Sequence, residues 1–404
     1  MSAPSLHAQV LLDRDARNRE VPPSAAHRMP FADALRALAI GVVIVAHVSL
    51  HFGIDLEGLG AVGVDCFFVL SGFLLAPPFL RAIVYGHRFP SIGAFWMRRF
   101  LRIWPLYAAS ILFSIFLMLA LHLRHAHPAT APDVATHLLM LHGFFPAYSA
   151  RTFNGPLWTM AVDAEFYFLL PLGAWLAYRF CRGASPSQSA RVVFGVLIIA
   201  TVLSLAVRAI AYTKMPQAMQ QVYFSLSTVY ARNVLGMAST FSLGIALALV
   251  NLLRGRPSGK EAVAAALLGC IAISAAIVSG GATNPVLPVA VTYDLLGGIG
   301  AALILYGVGE SQWTPVKRLV RLPFVSVVAA LSYGFYLFHV PVELICLAIL
   351  IRLHVLADHT LAYGFTMMIF FIPLLVAIAL CGHRFVEVPF LTLKERQRES
   401  AGAV

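Results

Sequence analysis

Apolar blocks of about 20 residues, divided by short polar stretches, recur along the chain from residue 34 to residue 381. Twenty helical residues rise ~30 Å, the depth of a bilayer's hydrocarbon core, so this spacing predicts membrane-spanning helices. A β-barrel would instead alternate in roughly ten-residue strands, and no such alternation is present. Ten spans fit, near 34–53, 60–80, 103–122, 157–178, 192–213, 231–252, 261–280, 287–308, 324–351 and 360–381. The fold expected is all-α and polytopic, with the transmembrane unit over 34–392 and tails at 1–33 and 393–404. The tail over 1–33 is expected to be disordered, and it lacks the short apolar core of a signal peptide. Residues 135–146 are apolar but too short to cross, so a re-entrant or interfacial piece is expected there.

Composition agrees. Of 404 residues, 60% are apolar and only 12% charged, whereas a soluble domain carries about 25% charged residues. That excludes a soluble enzyme, a disordered chain and a nucleic-acid-binding domain. The net charge of +11 is distributed by location: with the ten spans, 23 of the 29 Lys and Arg fall on the side of the N-terminus and 6 on the other. By the positive-inside bias, both termini are expected to be cytoplasmic. Five scattered cysteines show neither a disulfide framework nor metal-ligand spacing.

Candidate chemistry lies in the ionisable residues at membrane depth, which are costly there and are usually paired or functional. Arg36 and His47 are eleven residues apart in the first span, so they share one helix face about 16 Å apart along the axis. A snorkelling arginine and a packed histidine are the plainer alternative. Asp65 stands in Gly63-Val64-Asp65-Cys66-Phe67-Phe68-Val69-Leu70-Ser71-Gly72-Phe73, where Ser71 and Gly72 read as helix-packing residues. Arg98, Arg99 and Arg102 fall between the second and third spans and share a helical surface suited to phosphate, although positive-inside bias alone also accounts for them.

In the fourth span Trp158 and Glu165 share a face, as do Asp163 and Tyr167. Ser332, Tyr336, His339 and Glu343 form a polar stripe on the ninth span, lining a cavity or a helix seam. Asp294 is a further acid at depth with no evident partner. His122, His125 and His127 read as a solvated loop rather than a metal site.

Taken in order, these segments resemble the acyltransferase 3 family of integral membrane O-acyltransferases, which modify bacterial surface polysaccharides and some secondary metabolites. The resemblance rests on Arg36 with His47, the block from Gly63 to Phe73, Arg98-Arg99 with Arg102, and Pro156-Leu157-Trp158-Thr159 leading to Phe166-Tyr167. Ser332-Tyr333-Gly334-Phe335-Tyr336-Leu337-Phe338-His339-Val340-Pro341 and Phe385-Val386-Glu387-Val388-Pro389-Phe390 complete it. One departure is clear: the family usually has Glu where this chain has Asp163, one methylene shorter.

The resemblance implies an acyl-CoA donor (acetyl by default), a hydroxyl acceptor on a glycan or similar molecule, no metal, and a bacterial inner-membrane location. Arg98, Arg99 and Arg102 would hold the nucleotide phosphates and Arg36 the phosphate nearest the pantetheine arm, whose reach matches the Arg36–His47 separation. His47 would act as general base, with Asp163 fixing its tautomer or stabilising the developing positive charge. Asp65, Trp158, Glu165, Tyr336 and His339 would form or support the acceptor pocket. The rival reading is a transporter or flippase for a lipid-linked glycan, which midplane acids and a polar stripe would serve equally well; paired repeats with broken helices, which such proteins often show, are not found.

Overall fold

The structure, a computed structural model, describes residues 30–121, 130–145, 148, 154–214, 231–255, 257–280, 287–309, 318–355 and 361–393. Most of both expected tails, and His122, His125 and His127, lie outside the described residues. The chain enters α1 (Pro30–Ser49) and passes a short 3-10 turn (Leu50–Phe52) into α2 (Glu57–Leu75) and α3 (Pro77–Tyr85). Then follow α4 (Ile92–Ala120), α5 (Ala131–Leu138), α6 (Leu157–Phe180), α7 (Pro186–Lys214) and α8 (Val234–Arg254). The chain closes with α9 (Gly259–Gly280), α10 (Leu287–Gly309), α11 (Pro323–Arg352) and α12 (Leu361–Gly382), which runs into a π turn at His383–Glu387.

Among the described residues, ten helices are long and apolar enough to cross a membrane, and none is a strand. On α7, α9 and α12, Ile199, Leu203, Leu267, Ile271, Ile369 and Ile372 are more than half exposed, the face that lipid would cover. All five cysteines are free.

Two spans differ from their expected limits. The second apolar block is not one helix over 60–80: it breaks at Ala76, where Pro77 and Pro78 begin α3, because proline suits a first turn but not an interior. The third span starts at Ile92 rather than 103, capped by the Ser91 hydroxyl, which accepts from the Ala94 nitrogen at 3.3 Å. Arg98, Arg99 and Arg102 therefore sit within a helix, not in a connection. The expected interfacial piece takes the form of α5 and a 3-10 turn at His142–Phe144.

Helix α2 is the hub, packing against α1, α8, α9 and α10. One of its faces joins Phe68 to Phe241, Leu157 and Tyr107; the opposite one joins Val62, Cys66 and Val69 to Ala276, Ala301 and Leu305. Its crossing with α8 is a backbone-to-backbone approach at Gly72 and Gly244. A Cβ on Gly72 would lie 3.1 Å from the Ile245 nitrogen, and one on Gly244 would lie 2.8 Å from the Phe73 nitrogen. The packing role expected of Gly72 is the one the structure gives it.

Candidate active site

A cavity of about 300 Å³ lies between α1, α2, α4, α6 and α11. Arg36, Arg99 and Arg102 line it together with Ser71, Thr159, Asp163, Tyr167, Ser332, Tyr333 and Tyr336. The start of α1 contributes one arginine and the early turns of α4 the other two; residues 99 and 102 are three apart and so share a face.

The three guanidiniums are compensated unequally. Arg36 donates to Asp33, one turn back, at 3.1 Å. Arg102 is paired with Glu387 of the π turn, whose second oxygen takes His383 Nδ1 at 2.7 Å. Arg99 pairs with no carboxylate among the described residues, and its Nε is buried without a hydrogen-bond partner. Its guanidinium lies 5.8 Å from the Phe95 ring and 6.0 Å from the Tyr167 ring. Such a group, walled by aromatics and flanked by two more arginines, is suited to an anion with several oxygens.

Asp163 is the carboxylate of this cavity. The Ser71 hydroxyl donates to Asp163 Oδ1 at 3.2 Å and lies 3.4 Å from the Tyr167 hydroxyl. Ser71 therefore does more than allow helices to approach, a role that sequence distance concealed: it stands 92 positions from its partner. Across the cavity, the Thr159 and Tyr336 hydroxyls are 2.8 Å apart, and the Tyr333 hydroxyl donates to the Ile103 carbonyl at 2.6 Å.

His47 and His339 form a second group next to the cavity but do not line it. Their rings meet edge to face, with centroids 4.7 Å apart, and the His339 ring lies 5.8 Å from that of Tyr336. Tyr336 thus stands between the cavity and the imidazoles. His47 Nδ1 lies 2.9 Å from the Val43 carbonyl, and His339 Nδ1 lies 2.8 Å from that of Tyr336. A carbonyl only accepts, so each Nδ1 carries the proton, and Nε2 of a neutral ring keeps its lone pair. That is the tautomer a base on Nε2 needs, and backbone carbonyls fix it rather than Asp163.

The remaining candidates lie elsewhere. Arg98 does not line the cavity. Asp65 is buried on the far side of α2, in the space that a side chain on Gly297 of α10 would fill, and neither of its oxygens has a partner among the described residues. Asp294 is paired with Arg208, which also donates to the Val291 and Ala290 carbonyls at 3.0 Å each. Glu165 Oε2 accepts from the Val234 nitrogen at 3.0 Å, at the N-terminus of α8, where a carboxylate complements the helix dipole. The Trp158 ring supports the Arg232 guanidinium at 5.1 Å. The polar stripe on α11 divides between uses: Ser332 and Tyr336 face the cavity, His339 meets His47, and Glu343 meets His51 at 2.7 Å. Among the described residues, no group of three His, Cys, Asp or Glu could hold a metal ion.

A family model described as an acyltransferase domain, that of the acyltransferase 3 family, matches residues 29–382. Among curated proteins, the peptidoglycan O-acetyltransferase OatA of Listeria monocytogenes is 25% identical over 182 residues, covering 43% of this chain and 28% of that protein. The putative peptidoglycan O-acetyltransferase YrhL of Bacillus subtilis is 30% identical over 157 residues, covering 36% of this chain and 24% of YrhL. The acyltransferase MdmB of Streptomyces mycarofaciens is 26% identical over 333 residues, covering 78% of this chain and 79% of MdmB. The chain thus spans about a quarter of the length of the two peptidoglycan relatives. No solved structure matches. With its matched region enclosing every residue that lines the arginine cavity, the chain belongs to the acyltransferase 3 family.

Proposed function

We propose that the protein is a membrane O-acyltransferase that moves an acyl group, acetyl by default, from acyl-CoA to a hydroxyl of a glycan or glycan-like acceptor. Arg99 carries this reading: a guanidinium that is ion-paired to no carboxylate among the described residues and lies in one cavity with Arg36 and Arg102 is suited to a polyanion, and the phosphates of acyl-CoA supply one. The distribution of Lys and Arg supports a cytoplasmic position for this end of the bundle, in the bacterial inner membrane. The names of OatA and YrhL support a glycan acceptor.

In this account the phosphates rest on Arg36, Arg99 and Arg102, and the pantetheine arm runs along α1 past Tyr336 toward His47. His47 Nε2 takes the proton of the acceptor hydroxyl as its oxygen attacks the thioester carbonyl. The tetrahedral intermediate collapses, the carbon–sulfur bond breaks, and the CoA thiolate recovers the proton from the imidazolium. Asp163, held by Ser71, faces the passage from the cavity side. The test is incubation of the purified protein with radiolabelled acetyl-CoA and peptidoglycan fragments. Label should move to the acceptor with stoichiometric release of CoA. Movement of an intact glycan across liposomes without any acyl donor would favour the transporter instead.

A further inference from the structure

We propose that Asn154 is a positioning residue of the transfer site, because it supplies the hydrogen bond that Pro341 denies to the helix carrying Tyr336 and His339. This inference rests on the acyl-transfer reading for its functional consequence, although the geometry stands without it.

In an α-helix the carbonyl of residue i accepts from the amide of residue i+4. Pro341 lies inside α11 and has no amide hydrogen, so the Leu337 carbonyl, four residues earlier, loses its regular donor. Leu337 is fully buried, where water cannot serve as substitute and an unpaired carbonyl is costly. The Asn154 side chain, 1% exposed and 183 positions away, places its amide nitrogen 2.6 Å from that oxygen. A carbonyl cannot donate, so the nitrogen must be the atom facing it.

Asn154 belongs to the turn that starts α6: the Leu157 amide bonds to the Asn154 carbonyl at 3.2 Å. Two residues beyond Leu157, Thr159 reaches the Tyr336 hydroxyl. The same turn therefore grips α11 twice, at Tyr336 and at Leu337, and Leu337 lies between Tyr336 and His339. These two hydrogen bonds tie the start of α6 to the stretch of α11 that holds both the cavity wall and the imidazole that meets His47.

A parallel case occurs on the other side of the cavity. Pro171 frees the Tyr167 carbonyl within α6, and the Trp96 indole nitrogen donates to it at 3.2 Å. Two of the three helices that present hydroxyls to the cavity, α6 and α11, thus carry an internal proline whose freed carbonyl is taken up by a side chain from outside the helix.

The test is a double-mutant cycle between Asn154→Ala and Pro341→Ala, since alanine at 341 restores an amide to the Leu337 carbonyl. In the native background, Asn154→Ala should lower kcat for acyl transfer at least tenfold and leave KM for acetyl-CoA within twofold, as the arginines lie on other helices. In the Pro341→Ala background the same change should cost less than threefold. Nitrogen NMR of histidine-labelled protein, assigned with His47→Gln and His339→Gln, gives a second readout. The His339 signal should shift in Asn154→Ala and return in the double variant. Equal losses in both backgrounds, a loss confined to KM, or an unmoved His339 signal would overturn the proposal. Should the native protein transfer no acyl group at all, the functional reading fails while the NMR arm still decides the positioning.

Discussion

At the scale of single residues, the site divides labour by charge and by tautomer. Arg36 and Arg102 are each ion-paired to a carboxylate, whereas Arg99 pairs with none among the described residues. Arg99→Gln should therefore raise KM for acyl-CoA by roughly 10- to 100-fold, the worth of a charge-assisted hydrogen bond, with kcat little changed. Arg98, which does not line the cavity, should tolerate the same change within about twofold. Steady-state kinetics in detergent would check both, and equal effects at the two positions would place the phosphates elsewhere. His47→Gln should lower acyl transfer by ~100-fold or more, as loss of a general base does, while the protein still inserts and purifies. Near-native transfer by that variant would end its assignment as base.

The arginines, His47 and Asp163 were legible in the sequence because an ionisable group in an apolar helix stands out by itself. Their partners were not. Ser71 with Asp163, Arg102 with Glu387 and Asn154 with Leu337 are joined across 92, 285 and 183 positions, distances over which periodicity carries no information. Glu165, two residues from Asp163, does not line the cavity and instead caps α8.

At the scale of elements, the apolar run sets where a span is seen, while caps set where a helix begins. The arginines at 98, 99 and 102 depress the local hydropathy, so the run appears to start at residue 103, yet Ser91 starts the helix eleven residues earlier at Ile92. Those added turns bring the guanidiniums to the cavity. Proline has the opposite effect in the second block, dividing an unbroken apolar stretch into α2 and α3.

A pH response belongs to the segment formed by α5 and the following 3-10 turn, which lie outside the spans. The rings of His137 and His142 are stacked 4.1 Å apart, and both are buried, with Asp133 at 3.2 Å from His137 Nδ1. Burial, and to a smaller extent His137 alongside, holds the His142 imidazole down at about 3; burial likewise lowers His137 against the pull of Asp133. The folded form keeps His142 neutral while the unfolded chain takes up a proton below the ordinary histidine value. Its contribution is thus complete above about pH 6.5 and declines as the pH falls toward 3. Between pH 7 and pH 5 the loss should be about 2 kcal/mol, and His142→Phe should remove it. Thermal melts of both proteins at the two pH values would show the difference; identical pH dependence would refute it.

At the scale of the whole molecule, ten alternating spans bring the start of α1, the start of α4 and the end of α12 to the same end of the bundle. Arg36, Arg99 and Arg102 come from the first two of these places and share one cavity, and Glu387, from the third, pairs with Arg102. The same alternation underlies the Lys and Arg count, so the charge bias and the arginine-lined cavity have a common geometric origin. His47, eleven residues up α1 from Arg36, lies about 16 Å deeper, beyond Tyr336. The account depends on an acyl chain passing that tyrosine. The most direct measurement is an experimental structure with a non-hydrolysable acyl-CoA analogue bound. The account predicts phosphate oxygens within hydrogen-bonding distance of Arg36, Arg99 and Arg102, and the acyl carbonyl beside His47. Phosphates bound away from those arginines, or a His47 ring facing the lipid with the acyl group remote from it, would contradict it.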